Sequence, residues 1–471
     1  MIRTIGFISI FSVFCVHSVN AQTTDSSLEI LSLSSAPDTQ KHELKLEESI
    51  QIAIESATNV LKSKSDVELN GSALLKSYVQ FLPNLTTQNN YNYSTGTIYD
   101  TAGAPSLITG KGRSATLSVT SDFNIFNGFS DYAALQSSLL RKDSSELTLA
   151  RVKQQIGLDA AQSFLQVILD NKIVEIAQKN LTESQTRERL LSEEKRLGAA
   201  STADLYFQQA QTSQAESFLQ TAQNTARTDQ LILLQKLRID TRSHYYFVEP
   251  TLDPDAEEKS FSDENYLAEM ALKKRLDLEA TDKLVAAANY DMTNAASGYL
   301  PKIDFVANAT SAGSILNTQT VNGVNVVPAS QDNMGNQLKD QIKYTYGINF
   351  TWEIFDRFVT YENRSELATT AYKLKLDDED LKNQVISDAR QAYSSYKLAL
   401  QQLETSRKGL DAAQKAYEVM AGRYRLGSAS FVDLITAQST LVQAETSRAQ
   451  ALVNFKMGYW NVKYAIGDLE F

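Results

Sequence analysis

The sequence predicts a mainly α-helical fold with a small β part, built from two copies of one unit: helix, strand, strand, long helix, helix. Three observations predict it. RLGAASTADL at residues 196–205 returns 229 residues later as RLGSASFVDL at 425–434, with seven of ten positions identical. The seven prolines, at 37, 83, 105, 250, 254, 301 and 328, leave two long proline-free stretches, between Phe129 and Glu249 and after Pro328. Proline breaks helix interiors, so both stretches are free to be helical. Ahead of each lie two segments in which apolar and polar residues alternate with period two, the pattern of strands with one apolar face.

At the N-terminus, Arg3, an apolar run from Ile5 to Val16 and the small-residue site Val19-Asn20-Ala21 read as a signal peptide over 1–21. The run is too short for a membrane helix. Cys15 is the only cysteine and lies in this segment, after Phe14, so it is not read as a lipid attachment site. The exported chain then uses no disulfides and depends on packing or assembly for stability. Residues 22–43 are expected to be a flexible N-terminal segment.

The duplication accounts for the rest. Asp204-Leu205 and Gln209 match Asp433-Leu434 and Gln438, and Phe123-Asn124-Ile125-Phe126 answers Trp352-Glu353-Ile354-Phe355, all at an offset of 229. Phe81-Leu82-Pro83 answers Tyr299-Leu300-Pro301 at 218, which leaves an 11-residue insertion in the second copy. The first repeat is placed at 44–247, a linker at 248–262 and the second repeat at 263–471. Two units of about 200 residues are too long for solenoid repeats and suggest a pseudo-twofold molecule.

Within each copy the helices come as a long hairpin. Val152, Ile156, Ala160, Phe164 and Ile168 are spaced by four, and Leu410, Ala413, Tyr417, Met420 and Tyr424 alternate by three and four. The second pattern is a coiled-coil seam. A helix from 130 to 197 would be roughly 100 Å long at 1.5 Å per residue, so an extended helical body is expected. Gly198 and Gly427 fall where a helix ends in a left-handed residue. Ser201 with Asp204, and Ser430 with Asp433, form the S-x-x-D cap that opens the next helix. The quoted stretches are therefore hairpin tips.

Strands are expected at about 84–95, 113–126, 302–312 and 342–355. In 113–126 one face carries Leu117, Val119, Phe123 and Ile125, and the other Thr116, Ser118, Thr120 and Asp122. Half-apolar strands of about ten residues are the signature of a transmembrane β-barrel. Four cannot close a barrel and lipid does not tolerate open edges, so the barrel would be shared, most simply as 12 strands in a cyclic trimer. Gly110-Lys111-Gly112 reads as a hairpin turn, and Asn127 and Asp356 as N-caps of the long helices.

Composition excludes other classes. Removal of the leader leaves 44 basic against 56 acidic residues, a balance of −12 that argues against nucleic acid as a partner. His42 and His244 are the only histidines beyond the leader. No nucleophile or metal-ligand spacing recurs, so no catalytic residue, metal or cofactor is assigned and the chain is not read as an enzyme.

The two Leu-Pro pairs, Ile125-Phe126-Asn127-Gly128 with Ile354-Phe355-Asp356-Arg357, the RLG tips and the ending Tyr464-Ala465-Ile466-Gly467-Asp468-Leu469 together make the chain resemble the TolC family of outer-membrane efflux proteins. The resemblance implies a homotrimer in the outer membrane of a Gram-negative bacterium, with a 12-stranded barrel in lipid and a helical tunnel in the periplasm. It places the linker in an equatorial belt. It implies work with a periplasmic adaptor (membrane fusion) protein and an inner-membrane pump, ABC or proton-driven. It makes Arg196, Leu197, Gly198, Arg425, Leu426 and Gly427 the adaptor-docking tips, and Asp204, Tyr424 and Asp433 the periplasmic gate. Ala429 departs from the pattern, since some members have a basic gate partner there. Asp204 and Asp433 have a local role too, because carboxylates in a first turn cap a helix. The alternative function is a coiled-coil surface fibre or adhesin without transport.

Overall fold

The computed structural model of the chain describes residues 42–100, 106–198, 201–243, 245–250, 261, 263–326 and 332–469. The expected signal peptide, the N-terminal segment up to residue 41, tip residues 199–200 and linker residues 251–260 lie outside the described residues. Strand β1 (His42–Leu44) leads into α1 (Leu46–Ser56) and α2 (Thr58–Val79), the hairpin β2 (Thr86–Asp100) and β3 (Ser106–Phe126), the long helix α3 (Ser130–Arg196) and its return α4 (Thr202–Leu237). After β4 (Tyr245–Phe247) come α5 (Glu264–Lys274), α6 (Leu276–Ala296), β5 (Lys302–Val321), the short β6 (Val324–Val326), α7 (Met334–Asp340), β7 (Ile342–Thr351), α8 (Val359–Arg425) and α9 (Phe431–Ala465). Both long helices have 67 residues, and both their starts and their ends are 229 apart. Among the described residues no helix is long and apolar enough to cross a membrane.

The duplication also governs the sheet. β2 pairs antiparallel with β3, and β5 with β7. Shifting β2 by 218 and β3 by 229 converts the pair Thr86↔Thr120 into Asp304↔Asn349, which is the observed register. β3 and β5 join the two hairpins, from Ile108↔Val321 to Phe126↔Ile303. The main order is thus β2-β3-β5-β7, with β6 added beside the far end of β5. β3 and β7 run the same way and deliver α3 and α8 to the same side of the sheet.

Four sequence expectations change here. Gly110-Lys111-Gly112 is not a turn: it lies inside β3, paired with Thr95, Gly96 and Ser94 on one side and with β5 on the other. A Cβ on Gly112 would stand 3.2 Å from the Ile315 carbonyl oxygen, and the β3–β5 register shifts between Lys111 and Gly112. These glycines allow a close approach at a bulge. Strands β2, β3 and β5 run past the alternating segments, since backbone pairing continues where side-chain alternation fades. β7 instead stops at Thr351, short of 355. The equivalent end of β3 is held by Ile303–Phe305 of β5, whereas β5 begins at Lys302, the partner of Thr351, and offers β7 no strand residue beyond that pair. Residues 42–43 are ordered by tertiary packing: β1 lies parallel to β4, and Leu44 and Phe247 are buried with Phe164, Leu233 and Leu237.

Each strand-to-helix junction is a left-handed double turn. Gly128 and Phe129 have φ of 70° and 68°, and Arg357 and Phe358 have 57° and 66°. Asn127 and Asp356 each accept a first-turn amide, from Asp131 N at 3.3 Å and Thr360 N at 2.7 Å, reaching over that turn from a place earlier than an ordinary N-cap. Phe126 and Phe129 meet edge to face at 5.3 Å, as do Phe355 and Phe358 at 5.9 Å. These contacts offset left-handed geometry that costs bulky residues about 1–3 kcal/mol each.

Midway along the helices a buried ionic cluster ties the repeats together. Arg275 grips Asp277 through two nitrogens, at 3.0 and 2.6 Å, and reaches Asp388 on α8 at 2.9 Å. Arg151 on α3 lies over the Tyr464 ring of α9 at 3.7 Å and donates to its carbonyl oxygen at 3.0 Å.

Two glycines of equal handedness separate backbone strain from packing. A Cβ at Gly198 (φ +76°) meets open space, while one at Gly128 would stand 2.7 Å from the Ser297 carbonyl oxygen. Gly198→Ala should cost about 1 kcal/mol, the left-handed penalty alone. Gly128→Ala should cost about 3 kcal/mol or more, since a steric clash adds to the strain. Thermal unfolding of the two variants checks this order.

Candidate functional site at the hairpin tips

α3 turns into α4, and α8 into α9, at the end of the molecule farthest from the sheet. The last turn of α3 closes on Leu197, whose N–H bonds to the Glu193 carbonyl, and that of α8 on Leu426, bonded to Gly422. Gly198 and Gly427 follow with φ of 76° and 70° and no neighbour within 4 Å of a notional Cβ. They are there for backbone handedness. Leu197 and Leu426 are 72% and 84% exposed, so each tip presents an apolar side chain to solvent beside an arginine. Arg196 pairs with Glu193 at 2.8 Å, and Arg425 donates to the Ala421 carbonyl at 3.3 Å. Both bonds lie within the arginine's own helix, so neither guanidinium is tied to another element by them.

The two tips are capped differently. Ser430 and Asp433 form a complete capping box: Asp433 N donates to Ser430 Oγ at 3.2 Å, and Ser430 N to Asp433 Oδ2 at 3.1 Å. The Ser430 hydroxyl, then its amide, hold the Asp433 carboxyl below its ordinary range. At the first tip Ser201 Oγ accepts only from Ala203 N, at 3.1 Å. Asp204 has no part in that cap.

Asp204 lies toward Tyr424 of the other hairpin. Burial first, and then the charges of Glu194 and Asp204, push the Tyr424 phenol above its ordinary value. The Tyr424 ring packs on Phe431 at 5.8 Å, over a small apolar cluster of Leu191, Leu205, Phe431 and Ile435 that joins the two hairpins. Of the three residues expected at a gate, Asp204 and Tyr424 thus share one neighbourhood, while Asp433 is engaged in its own helix cap.

A stronger polar link between the hairpins lies one to two turns deeper. Arg187 of α3 donates through Nη1 to Gln438 Oε1 on α9 and through Nη2 to Tyr417 Oη on α8 at 3.3 Å. Gln438 in turn donates to Asn180 Oδ1 at 3.1 Å. Sequence reasoning missed Arg187. Gln438 was visible as a repeat match to Gln209, but nothing local marks a partner 251 residues away.

The family model described as "Outer membrane efflux protein" matches residues 267–460, most of the second repeat. "Outer membrane protein TolC" of Escherichia coli (strain K12) is 22% identical over 208 residues, which span 44% of this chain and 40% of that protein's length. The fold is that of the Campylobacter jejuni CmeC outer membrane channel (TM-score 0.75, 14% identity, 90% of this chain and 85% of that one). It is also that of the Vibrio cholerae outer membrane protein VceC (TM-score 0.74, 13% identity, 90% and 96%). The family match lies in the second repeat, and the fold similarity extends over both repeats.

Proposed function

We propose that this chain forms a trimeric exit duct, with a shared 12-stranded barrel crossing the outer membrane and a coiled-coil helical tunnel reaching into the periplasm. It serves a tripartite efflux or type I secretion system by docking a periplasmic adaptor and an inner-membrane pump, ABC or proton-driven. The observation that carries this reading is a sheet with two open edges, β2 and β7, set on a pair of 67-residue helices. Open edges do not persist in lipid, and a duplicated unit supplies its own template for closing them. Tyr344, Tyr346, Ile348, Phe350 and Trp352 are all exposed on the single chain, and so are Leu85, Tyr91 and Tyr93 near the other edge. Such a continuous apolar face has lipid or another copy as its natural cover.

Transport through the duct is passive, with energy supplied by the pump. Arg196-Leu197-Gly198 and Arg425-Leu426-Gly427 are the docking tips, where exposed leucines and arginines free of other elements offer apolar and charged contacts together. The closed entrance is held by the Asp204–Tyr424 neighbourhood and by the Arg187 link, with Asp433 contributing negative charge. Opening is an outward rotation of the hairpins when the adaptor engages. A fibre or adhesin has no need of the repeated β-hairpins that the duct uses for its wall.

Three measurements test the reading. Applying the repeat offsets to the β3–β5 pairs gives the register between copies: Ile348 opposite Tyr91, and Tyr346 opposite Tyr93, of the next copy. Ile348→Cys with Tyr91→Cys should give reducible crosslinks ending at a trimer, and Ile348→Cys with Asn92→Cys should not, because that pair points to opposite faces. The reverse pattern would reject the register. Arg187→Ala removes charge-assisted bonds worth about 1.5–3 kcal/mol, so the closed-to-open ratio should fall about tenfold or more in single-channel recordings. An unchanged ratio would remove Arg187 from the gate. A photo-crosslinker at Ser428 should capture a periplasmic adaptor in cells, and no captured partner would mean the tips do not dock one.

A further inference from the structure

The seam between α3 and α4 contains a pair of acids where the second repeat is apolar. On α4 the buried positions Ala222, Ala226 and Leu233 alternate by four and three through Asp229; on α3, Asp170, Ala177 and Ser184 follow every seven residues. Asp170 and Asp229 therefore occupy core positions facing each other across antiparallel helices, between the apolar cluster of Phe164 and Leu233 and that of Ala177 and Leu219. At the matching positions of the second repeat stand Ala399 and Gly458. Ala399 is buried, and a Cβ on Gly458 would lie 3.3 Å from the Tyr396 Cα. An apolar seam is thus compatible with this fold, and the acids are a departure from it.

Asp170 is only 4% exposed. Its Oδ1 accepts from Gln166 Nε2 at 3.0 Å, and its Oδ2 is buried with no donor. The cations nearby are occupied elsewhere. Lys172 pairs with Glu175 at 2.6 Å, Lys179 with Glu445 of α9 at 3.1 Å, and Lys236 of α4 donates to Ser163 Oγ at 2.7 Å. Arg227 of α4 is exposed, and Glu249, beyond β4, acts on Lys172. Next to the pair, Gln230 and Asn171 bond to each other at 3.4 Å and carry no charge. An ionised carboxylate with an empty acceptor is costly to bury, and a second carboxylate opposite it adds repulsion.

We propose that Asp170 and Asp229 form a proton-binding site, sharing one proton that fills the empty Oδ2 acceptor and fastens α3 to α4 between the mid-body core and the hairpin tip. Burial, and then the hydrogen bond and charge of Asp229, push the Asp170 carboxyl up to about 6 from an ordinary 3.8. The folded chain therefore holds this proton more tightly than the unfolded chain. The stabilisation is complete below pH 3.8, declines as pH rises from there, and is lost above about 6, where the Asp170 carboxyl ionises. The first hairpin is thus tighter in acid than at neutral pH, and the second, lacking the pair, is unaffected by this site.

Hydrogen exchange of the full chain in lipid nanodiscs, corrected for the intrinsic pH dependence, reads the seam directly. Amide protection in 166–177 and 222–233 should fall about tenfold between pH 5 and pH 7.5, with no matching fall around Ala399 and Gly458. Asp170→Asn keeps the shape without the charge and should abolish the fall. Infrared spectroscopy of the unmodified chain gives a readout independent of any variant: a protonated-carboxyl carbonyl band should be present at pH 5 and lost by pH 7.5. Protection that does not change with pH, a fall that persists in Asp170→Asn, or absence of the carbonyl band at pH 5 would each overturn the proposal.

Discussion

The antiparallel pairing of β3 with β5 is the constraint on which the rest of this structure depends. It is the only strand pairing among the described residues that joins the two repeats. Because β3 and β7 both lie antiparallel to β5, they point the same way, and α3 and α8 leave the sheet on one side with a common length. α6 then fits between them as a spacer, and the Arg275–Asp277–Asp388 cluster and the Arg151–Tyr464 contact lock that arrangement midway down. A one-residue slip in β3–β5 would turn every side chain of one hairpin to the opposite face and rotate one helical half against the other. The long interlocked register, with glycines 110 and 112 allowing its bulge, resists such a slip.

The junctions translate that register into helix position. Two successive left-handed residues turn each chain sharply from strand into helix, and bulky residues occupy such geometry only when the surroundings over-determine it. Here the surroundings are the paired phenylalanines and the amide-accepting side chains of Asn127 and Asp356. Gly128 carries an additional demand, since the backbone of Ser297 approaches where a side chain would be. Its counterpart, Arg357, adopts the same handedness with a side chain. Gly128 is buried, whereas the second junction is largely exposed.

Duplication has not kept the two halves equal in restraint. The second hairpin has the full Ser430–Asp433 box where the first has a single bond from Ala203. Arg187 grips Tyr417 and Gln438, but its own repeat counterpart is Ala416. Asp170 and Asp229 answer to Ala399 and Gly458. These differences lie along the hairpins; the sheet differs as well, since the second repeat adds β6 and α7 and its β7 is shorter than β3.

Local chemistry carried much of this architecture into view from the sequence alone. Missing prolines, four-residue apolar spacing, RLG ends and S-x-x-D starts act within one or two helical turns, so a linear reading reaches them. The duplication, read from matching strings, placed the two long helices. Tertiary structure decided whatever depends on a partner far along the chain. Gly110-Lys111-Gly112 has turn composition, but neighbours on both sides hold it in a strand. The end of β7 follows from where its partner β5 begins rather than from its own residues, which continue to alternate. Arg187 with Gln438, and Asp170 with Asp229, are ordinary polar side chains until helices separated by tens or hundreds of residues bring them together. Burial and charge proximity are properties of the packed arrangement, and no local pattern encodes them.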